Sequence, residues 1–582
     1  MPDENAVRII REREPGAGTA ALAAELDPLL ARILGARGVQ RPAELDLSMQ
    51  ALLPPERLRN ADRAAALLAD HVQSGRHIKI VGDFDADGAT ATALAMVALT
   101  AMGAKKVSFL VPNRFDFGYG LTPEIVALAL QDDPDLLVTV DNGISSHDGV
   151  RVAREAGLKV LVTDHHLPPP ELPDADVIVN PSLPDCEFPS KALAGVGVVF
   201  YVLCVLRAQL RERGWFEAQG LEAPNMADYL DLVALGTVAD VVPLDRNNRV
   251  LVQQGLQRIR QGRTRPGIKA LIEAAGREQS RLQAQDLGFA LGPRINAAGR
   301  LDDISIGIRC LLAPDLKSAR SLARALEELN AARRSLEQQM TAQGAVLAAT
   351  VDAVDSDALG LCVYDPGWHQ GVVGIVAGRL RERFHRPVIA FADAGDGDEL
   401  KGSARSINGV HIRDVLEALS SRFPGLILKF GGHAMAAGLS IRRPHLTRFQ
   451  RAFAAQLGNW MNTDDIQSVL VTDGELGVEQ CSLHTARLLA RFGPWGQHFP
   501  EPLFHNRFQL VHQRQVGQRH LKLTLRRTAA DGRALLYDAI AFNQDELSVS
   551  ESATLHVVYR LTENHYGGET RLQLVVEHLS PA

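Results

Sequence analysis

Cysteine is scarce in this 582-residue chain, and its five copies (Cys186, Cys204, Cys310, Cys362 and Cys481) are scattered, with no CxxC pair. That excludes a disulfide scaffold and a cysteine-based zinc site. Long apolar runs are missing too. The longest, ALAGVGVVFYVLCVL at 192–206, lies between Lys191 and Arg207; it is short for a membrane span and reads as a buried helix. The opening residues MPDENAVRIIREREPGAG carry both charge signs and no apolar stretch of the kind a signal peptide needs. A cytoplasmic protein without membrane association is expected. No GxxxxGK[ST] segment occurs, so ATP-driven strand separation is not expected. Positive charge is not in excess: 62 Lys and Arg face 69 Asp and Glu, for a net charge of −7. Bulk positive charge is therefore not the means by which this chain would coat nucleic acid; a local basic track stays open.

What is present is a folded, multidomain α/β chain, 46% hydrophobic and 23% charged. At roughly 150 residues per domain, three to five domains are expected. Residues 1–75 look mainly helical. Over about 76–185, β-branched runs (HIKIVG, KVSFLVP, LLVTV, KVLVT, DVIVN) alternate with helical ones, the pattern of βαβ units and a mostly parallel sheet. Residues 317–350 have few helix breakers and predict one long connecting helix. A smaller α/β domain is expected over 351–465. Over 466–582, the runs LVTDGEL, FQLVHQRQV, HLKLTLRR, ALLYDAIAF, TLHVVYRLTE and TRLQLVVEHL suggest a small β-barrel, with an oligonucleotide-binding (OB) fold leading.

The sharpest chemical signal is IKIVGDFDADG at 78–88, where a strand runs into Asp83, Asp85 and Asp87 before Gly88 and a helix. Three carboxylates this close repel one another unless a cation neutralises them. A calcium loop of the EF-hand type is the bland alternative. It fails because Leu94 occupies the position of the bidentate Glu and a strand, not a helix, precedes the loop. Two more strands end in polar clusters, Asp141-Asn142 and Asp164-His165-His166. In an open α/β sheet such strand ends face one crevice. Asp and His without Cys suit manganese or magnesium. So many carboxylates fit two divalent ions, able to activate a water and stabilise a leaving oxygen at a phosphoryl group.

These motifs, with Asp240 in GTVADVVP, resemble the four motifs of the DHH phosphoesterases. GPRINAAGR (292–300), WHQGVVGIVAGRL (368–380), GSARSINGVHI (402–412) and FGGHAMAAGLSI (430–441) resemble the RecJ-type branch with its DHH-associated domain. The likeness runs from about residue 76 to 582. It implies a DHH catalytic domain (76–316), a DHH-associated substrate-binding domain (351–465) and an OB-like domain (466–582). It also implies a 5′-to-3′ exonuclease that hydrolyses single-stranded DNA to 5′-mononucleotides, in recombination and repair, using two Mn2+ or Mg2+ ions and no ATP. By the same resemblance Asp85, Asp87, Asp141, His165 and Asp240 are direct metal ligands, with Asp141 bridging. Asp83 is a ligand or stands just outside the ligand shell, and His166 is a ligand or a donor to the phosphoryl oxygen. Asp164 orients a neighbouring imidazole.

Substrate contacts call for donors and close backbone approach. Arg294 and Asn296 lie in a Gly-flanked stretch suited to phosphate, and Gly431, Gly432 and His433 form a turn that a phosphate can approach. The resemblance places Arg114, Ser403 and Arg405 on the terminal 5′-phosphate. Trp368 and His369 could border the cleft. Two basic stretches stand out: residues 246–300, with eleven Lys or Arg against three acids, and 502–530, with Arg507, Arg514, Arg519, Lys522, Arg526 and Arg527 and no acid. With Phe508 and His520, the second reads as a single-strand track. A monomer is expected, with a single-stranded-DNA-binding protein and a RecQ-type helicase as partners implied by the resemblance alone. The alternatives are an enzyme for short oligonucleotides or cyclic dinucleotides, and a scaffold that has lost catalysis; the complete set of motif carboxylates speaks against the scaffold.

Overall fold

The computed structural model describes residues 9–112, 120–354, 358–395, 397–461, 468–517, 520–566 and 568–582. After β1 (Ile9–Glu12) and a helical stretch ending in the helix Ala61–Ser74, five strands follow: β2 (His77–Gly82), β3 (Lys106–Leu110), β4 (Leu136–Val140), β5 (Lys159–Thr163) and β6 (Val177–Val179). They pair in parallel in the order β3-β2-β4-β5-β6. Every residue of β2 and β4 is buried, which is why these strands need no polar alternation. The chain leaves β2 toward β3 on one side and continues through β4 to β6 on the other. The order therefore reverses between β2 and β4, and a crevice opens at their carboxyl ends.

The helix Leu316–Val354 has 39 residues and is more than a strut between globular parts. Ala319, Ala323 and Leu326, spaced by about one turn, enter the core of the first domain, whereas Met340, Ala345 and Ala348 enter a second core. That second core lies on a five-stranded sheet of β7 (Leu361–Tyr364), β8 (Val388–Asp393), β9 (Glu399–Arg405), β10 (Lys429–Gly432) and β11 (Ala436–Arg442), ordered β10-β11-β9-β8-β7. A third cluster around Phe391, Phe449 and Phe453 fills the space under the helices Ile412–Arg422 and Leu446–Leu457.

The run at 469–476, grouped by sequence with the barrel strands, behaves differently. Its strand β12 (Val469–Thr472) pairs in parallel with β1, Ile9 opposite Val469. The barrel proper is β13 (Phe504–Val516), β14 (His520–Thr528), β15 (Ala534–Phe542), β16 (Thr554–Tyr566) and β17 (Glu569–Pro581), closed by pairing of β13 with β16. Just beyond β12, Asp473 accepts two hydrogen bonds from Arg37, Nη1 to Oδ1 at 2.6 Å and Nη2 to Oδ2 at 2.9 Å, with both side chains buried. The N-terminal segment thus joins the two ends of the chain, and residues from Leu22 to Val72 share one hydrophobic core with the parallel sheet and the barrel. Among the described residues, no helix is long and apolar enough to cross a membrane.

Candidate metal centre and nucleic-acid cleft

The loop after β2 is held from several directions. Asp85 caps the helix Ala86–Ala101, accepting from the Gly88 N–H at 3.0 Å. Asp87 is buried and accepts from the Gly195 N–H at 2.6 Å and the Val196 N–H at 3.0 Å, at the positive end of the helix Gly195–Glu212. Gly195 is required by space: a Cβ there would lie 2.5 Å from both Cβ and Oδ1 of Asp141. From outside, the Asn296 side chain accepts from the Ala86 N–H at 2.7 Å, and a Cβ on Gly299 would stand 2.0 Å from the Phe84 carbonyl oxygen.

At the end of β4, Asp141 adopts φ 64°, a left-handed conformation that turns the chain sharply. Asn142 donates to the carbonyls of Val81 (3.1 Å) and Val140 (3.0 Å) and so ties the ends of β2 and β4 together. After β5, Asp164 acts as an organiser. Its Oδ1 accepts from the His165 and His166 N–H groups (2.7 and 3.1 Å) and from His166 Nδ1 (2.7 Å), and its Oδ2 from the Ile144 N–H (2.9 Å). Nε2 of His165 lies 3.1 Å from Asp141 Oδ1 and 3.5 Å from Asp240 Oδ2. It is buried and makes no hydrogen bond with the described residues.

Among the described residues, three groups each bring their potential ligand atoms within 4.8 Å of one another: Asp87, His165 and Asp240; Asp83, Asp85 and Asp141; and Asp141, His165 and His166. Asp141 belongs to two of these groups, the position a bridging carboxylate would take. Burial and then neighbouring carboxylates, Asp85 for Asp83 and Asp87 for both Asp141 and Asp240, hold these three well above the usual carboxylate range. Burial and Asp85 push Asp87 up to about 7. Burial and His166 push His165 down to about 4, which keeps its imidazole neutral. His166 goes the other way: burial opposes its charge, but the hydrogen bond and charge of Asp164 raise it to about 9. Buried mutually repelling carboxylates around a neutral imidazole fit a divalent cation with hard oxygen preferences.

Beside this centre a cleft of about 610 Å3 separates the first domain from the second. Phe84, Asp85, Asn296 and Arg300 line one wall, and Lys401, Ser403, Arg405, Lys429 and Gly431 the other. Lys401, Ser403 and Arg405 sit at alternate positions of β9 and share one face. Opposite Ser403 stands Gly438 and opposite that Gly431, so two of three neighbours in this row lack side chains, and a Cβ on either would meet open space. The row is a smooth floor that admits close backbone approach of a ligand. Arg405 donates to Ser403 Oγ (3.1 Å) and the Ala404 carbonyl (2.9 Å). His433, in the turn after Gly432, is held below the usual histidine range by burial and then by the charge of His166.

Sequence reasoning placed Arg294 on the substrate, and the structure corrects this. Residues 292–301 form a helix rather than an open stretch, so Asn296 and Arg300 share the cleft face and Arg294 points away. Its guanidinium pairs with Glu327 (2.5 Å) and donates to the Ala290 carbonyl (2.6 Å), bracing the long helix. Asn296 lines the cleft while its side-chain oxygen holds the metal loop. Arg300, Lys401, Lys429 and Gly195 escaped the sequence reading, although helical spacing from Asn296 and strand alternation from Ser403 would have found the first two. Trp368 is buried and Arg114 lies outside the described residues.

The basic stretches also change meaning. Over 246–300, Arg249 covers the Phe499 ring at 3.8 Å, Arg265 pairs with Asp231 (3.2 Å) and Arg277 with Asp286 (3.1 Å), so the excess is not one track. A second cavity of about 650 Å3, lined by Arg260, Arg281, Arg487 and Arg491, lies between this region and the barrel, away from the metal-centre residues. In the barrel, Phe508 is buried against Tyr537 and Tyr559 and unavailable for stacking. His520 instead packs edge-on against the exposed Phe542, beside Lys522 on the outer face of β14. Arg519 lies outside the described residues.

Comparison with known proteins finds three matching domain families. The DHH family N-terminal domain matches residues 77–237, the DHHA1 domain 345–459 and the RecJ OB domain 472–578. The chain is 53% identical over 580 residues to the single-stranded-DNA-specific exonuclease RecJ of Dickeya dadantii, covering 99% of this chain and 100% of that one. With the protein of the same name from Escherichia coli it shares 50% over 566 residues, 97% of each. A crystal structure of RecJ from Thermus thermophilus in complex with Mn2+ superposes with a TM-score of 0.80 at 32% identity, covering 99% of this chain and 79% of that one. The Mg2+ complex gives 0.74 at 30% identity, covering 99% and 78%.

Proposed function

The chain belongs to the RecJ family of single-stranded-DNA-specific exonucleases, and on that premise we propose that it removes nucleotides one at a time from the 5′ end of single-stranded DNA by metal-dependent hydrolysis. The observation that carries the reading is the pairing of the acidic centre with a cationic, glycine-floored cleft on the facing domain. Two divalent ions held by Asp85, Asp87, Asp141, His165 and Asp240 would supply Lewis acidity and an activated water. The chain's own groups do the rest. Asp164 fixes the His166 ring through Nδ1 and leaves Nε2 for the phosphoryl oxygen, and Asp83 shapes the loop from beside the ligands. Ser403, Arg405 and the Gly431-Gly432-His433 turn hold the terminal phosphate, which sets 5′ polarity and 5′-mononucleotides as products. Arg300, Lys401 and Lys429 join them.

The likeness to the RecJ family supports a RecQ-type helicase and a single-stranded-DNA-binding protein as the partners that supply its substrate in recombination and repair. Action as a cytoplasmic monomer completes the proposal. The test is digestion of long single-stranded DNA, the matching duplex and a dinucleotide with Mn2+, with Asp141→Ala as control. Stepwise loss of the single strand from its 5′ end is expected. Preference for the dinucleotide would overturn the reading.

A further inference from the structure

Three large apolar side chains stand exposed on segments that carry or brace the acidic centre. Leu167, next to His166, is 63% exposed; Val241, next to Asp240, is 60% exposed; and Phe289 is 83% exposed. Phe289 sits in a π-helical turn, Leu287–Leu291, a feature common at functional sites. That turn packs on the end of the helix that delivers Asp240. A Cβ on Gly288 would lie 3.3 Å from the Val238 carbonyl oxygen, and one on Gly292 would lie 3.0 Å from Ala239 Cβ. The turn also runs straight into the helix Gly292–Leu301, which carries Asn296 and Arg300 into the cleft. Val241 adopts φ 61°, a left-handed conformation that is strained for a β-branched residue. The strain lets Asp240 face the metal centre while the next side chain turns to solvent.

The charges are distributed differently. Lys401, Arg405 and Lys429 lie on the second domain's wall of the cleft. A single strand presents charged phosphates along its backbone and unpaired, apolar base faces beside it. A duplex keeps those faces stacked inside and shows only phosphates, sugars and base edges. We infer that Val241 and Phe289, with Leu167, form an apolar rim that stacks on unpaired bases next to the scissile phosphate, and that this rim, together with cleft width, makes the enzyme select single strands. The inference deepens the exonuclease reading and rests on it.

Phe289 is the residue to test, because removing so exposed a ring leaves the core untouched. Binding of a 5′-phosphorylated oligonucleotide is measured by fluorescence anisotropy in an Asp141→Ala background, so that the strand is not cut. Abasic residues are introduced one position at a time from the 5′ end. Phe289→Ala should weaken binding of the intact strand about tenfold, the scale of one lost base–aromatic stack, and Phe289→Trp should restore it. At one abasic position the parent and Phe289→Ala should bind alike. With Asp141 intact, the Phe289→Ala effect should fall on KM more than on kcat. Unchanged binding by Phe289→Ala, or an equal loss on intact and on every abasic strand, would overturn the rim. An enzyme that shows the Phe289 effect but prefers dinucleotides in digestion would overturn the exonuclease reading alone.

Discussion

Replacing Gly195 with alanine should disable the metal centre although every ligand residue is kept. The new methyl would lie 2.5 Å from Cβ and Oδ1 of Asp141, where ordinary contact begins at 3.4 Å. One of the two must therefore retreat by roughly 0.9 Å, several times the ±0.2 Å within which metal–ligand distances are held. Neither can move freely. The Gly195 N–H is bound to Asp87 at 2.6 Å, and Asp141 is set in a left-handed turn with its N–H on the Thr163 carbonyl at 3.0 Å. Overpacking of this kind costs about 1–3 kcal/mol. A displacement near 1 Å in a catalytic constellation costs on the order of 100-fold in rate. Isothermal titration of the metal-free protein with Mn2+ should show affinity reduced about 10- to 100-fold, and exonuclease turnover should fall in parallel. Gly197→Ala is the control, since its Cβ would meet only the Leu193 side chain, at 3.2 Å. Mn2+ affinity of Gly195→Ala within twofold of wild type would refute the reasoning.

Mn2+ affinity should rise with pH through the neutral range, because burial and Asp85 hold Asp87 near 7 and a ligand must shed its proton to bind. The same raised carboxylate makes the metal-free protein lose stability as pH rises from about 4 to 7; melting curves with and without Mn2+ should diverge over that window, and a constant gap would count against it. Arg405→Ala should reduce discrimination between 5′-phosphate and 5′-hydroxyl ends, read as the ratio of kcat/KM on the two substrates; an unchanged ratio would remove Arg405 from the phosphate. Arg37→Ala leaves the buried Asp473 with Arg13 at 3.7 Å and the Leu503 N–H at 3.0 Å, and should destabilise the protein by about 3–5 kcal/mol, measurable by urea denaturation. A loss below about 1 kcal/mol would show the pair to be dispensable.

Local chemistry was legible in the chain because each acidic motif follows directly on the strand that carries it. Short β-branched runs located β2, β4 and β5, the helical runs between them the helices, and strand ends in a parallel sheet converge without further information. Asp83, Asp87, Asp141, Asp164 and His165 could be named for that reason. Patterns that depend on which way a side chain turns were read less well. Arg294 and Arg300 look equivalent in GPRINAAGR, and only the helix running through them sends one to Glu327 and the other to the cleft. Phe508 alternates like an outward-facing strand residue, but the register of β13 turns it into the barrel.

By itself, then, the sequence pointed to a divalent ion with hard oxygen preferences, to parallel-sheet and barrel regions in that order, and to acidic groups at the strand ends, since these follow from residue type and short-range spacing. Tertiary structure alone decided that Gly195 must be bare, that β1 and β12 join the chain's two ends, and that Lys401 and Lys429 face Asn296 across a cleft. Those features are contacts between residues tens to hundreds of positions apart. Packing, which no local pattern encodes, brings them together.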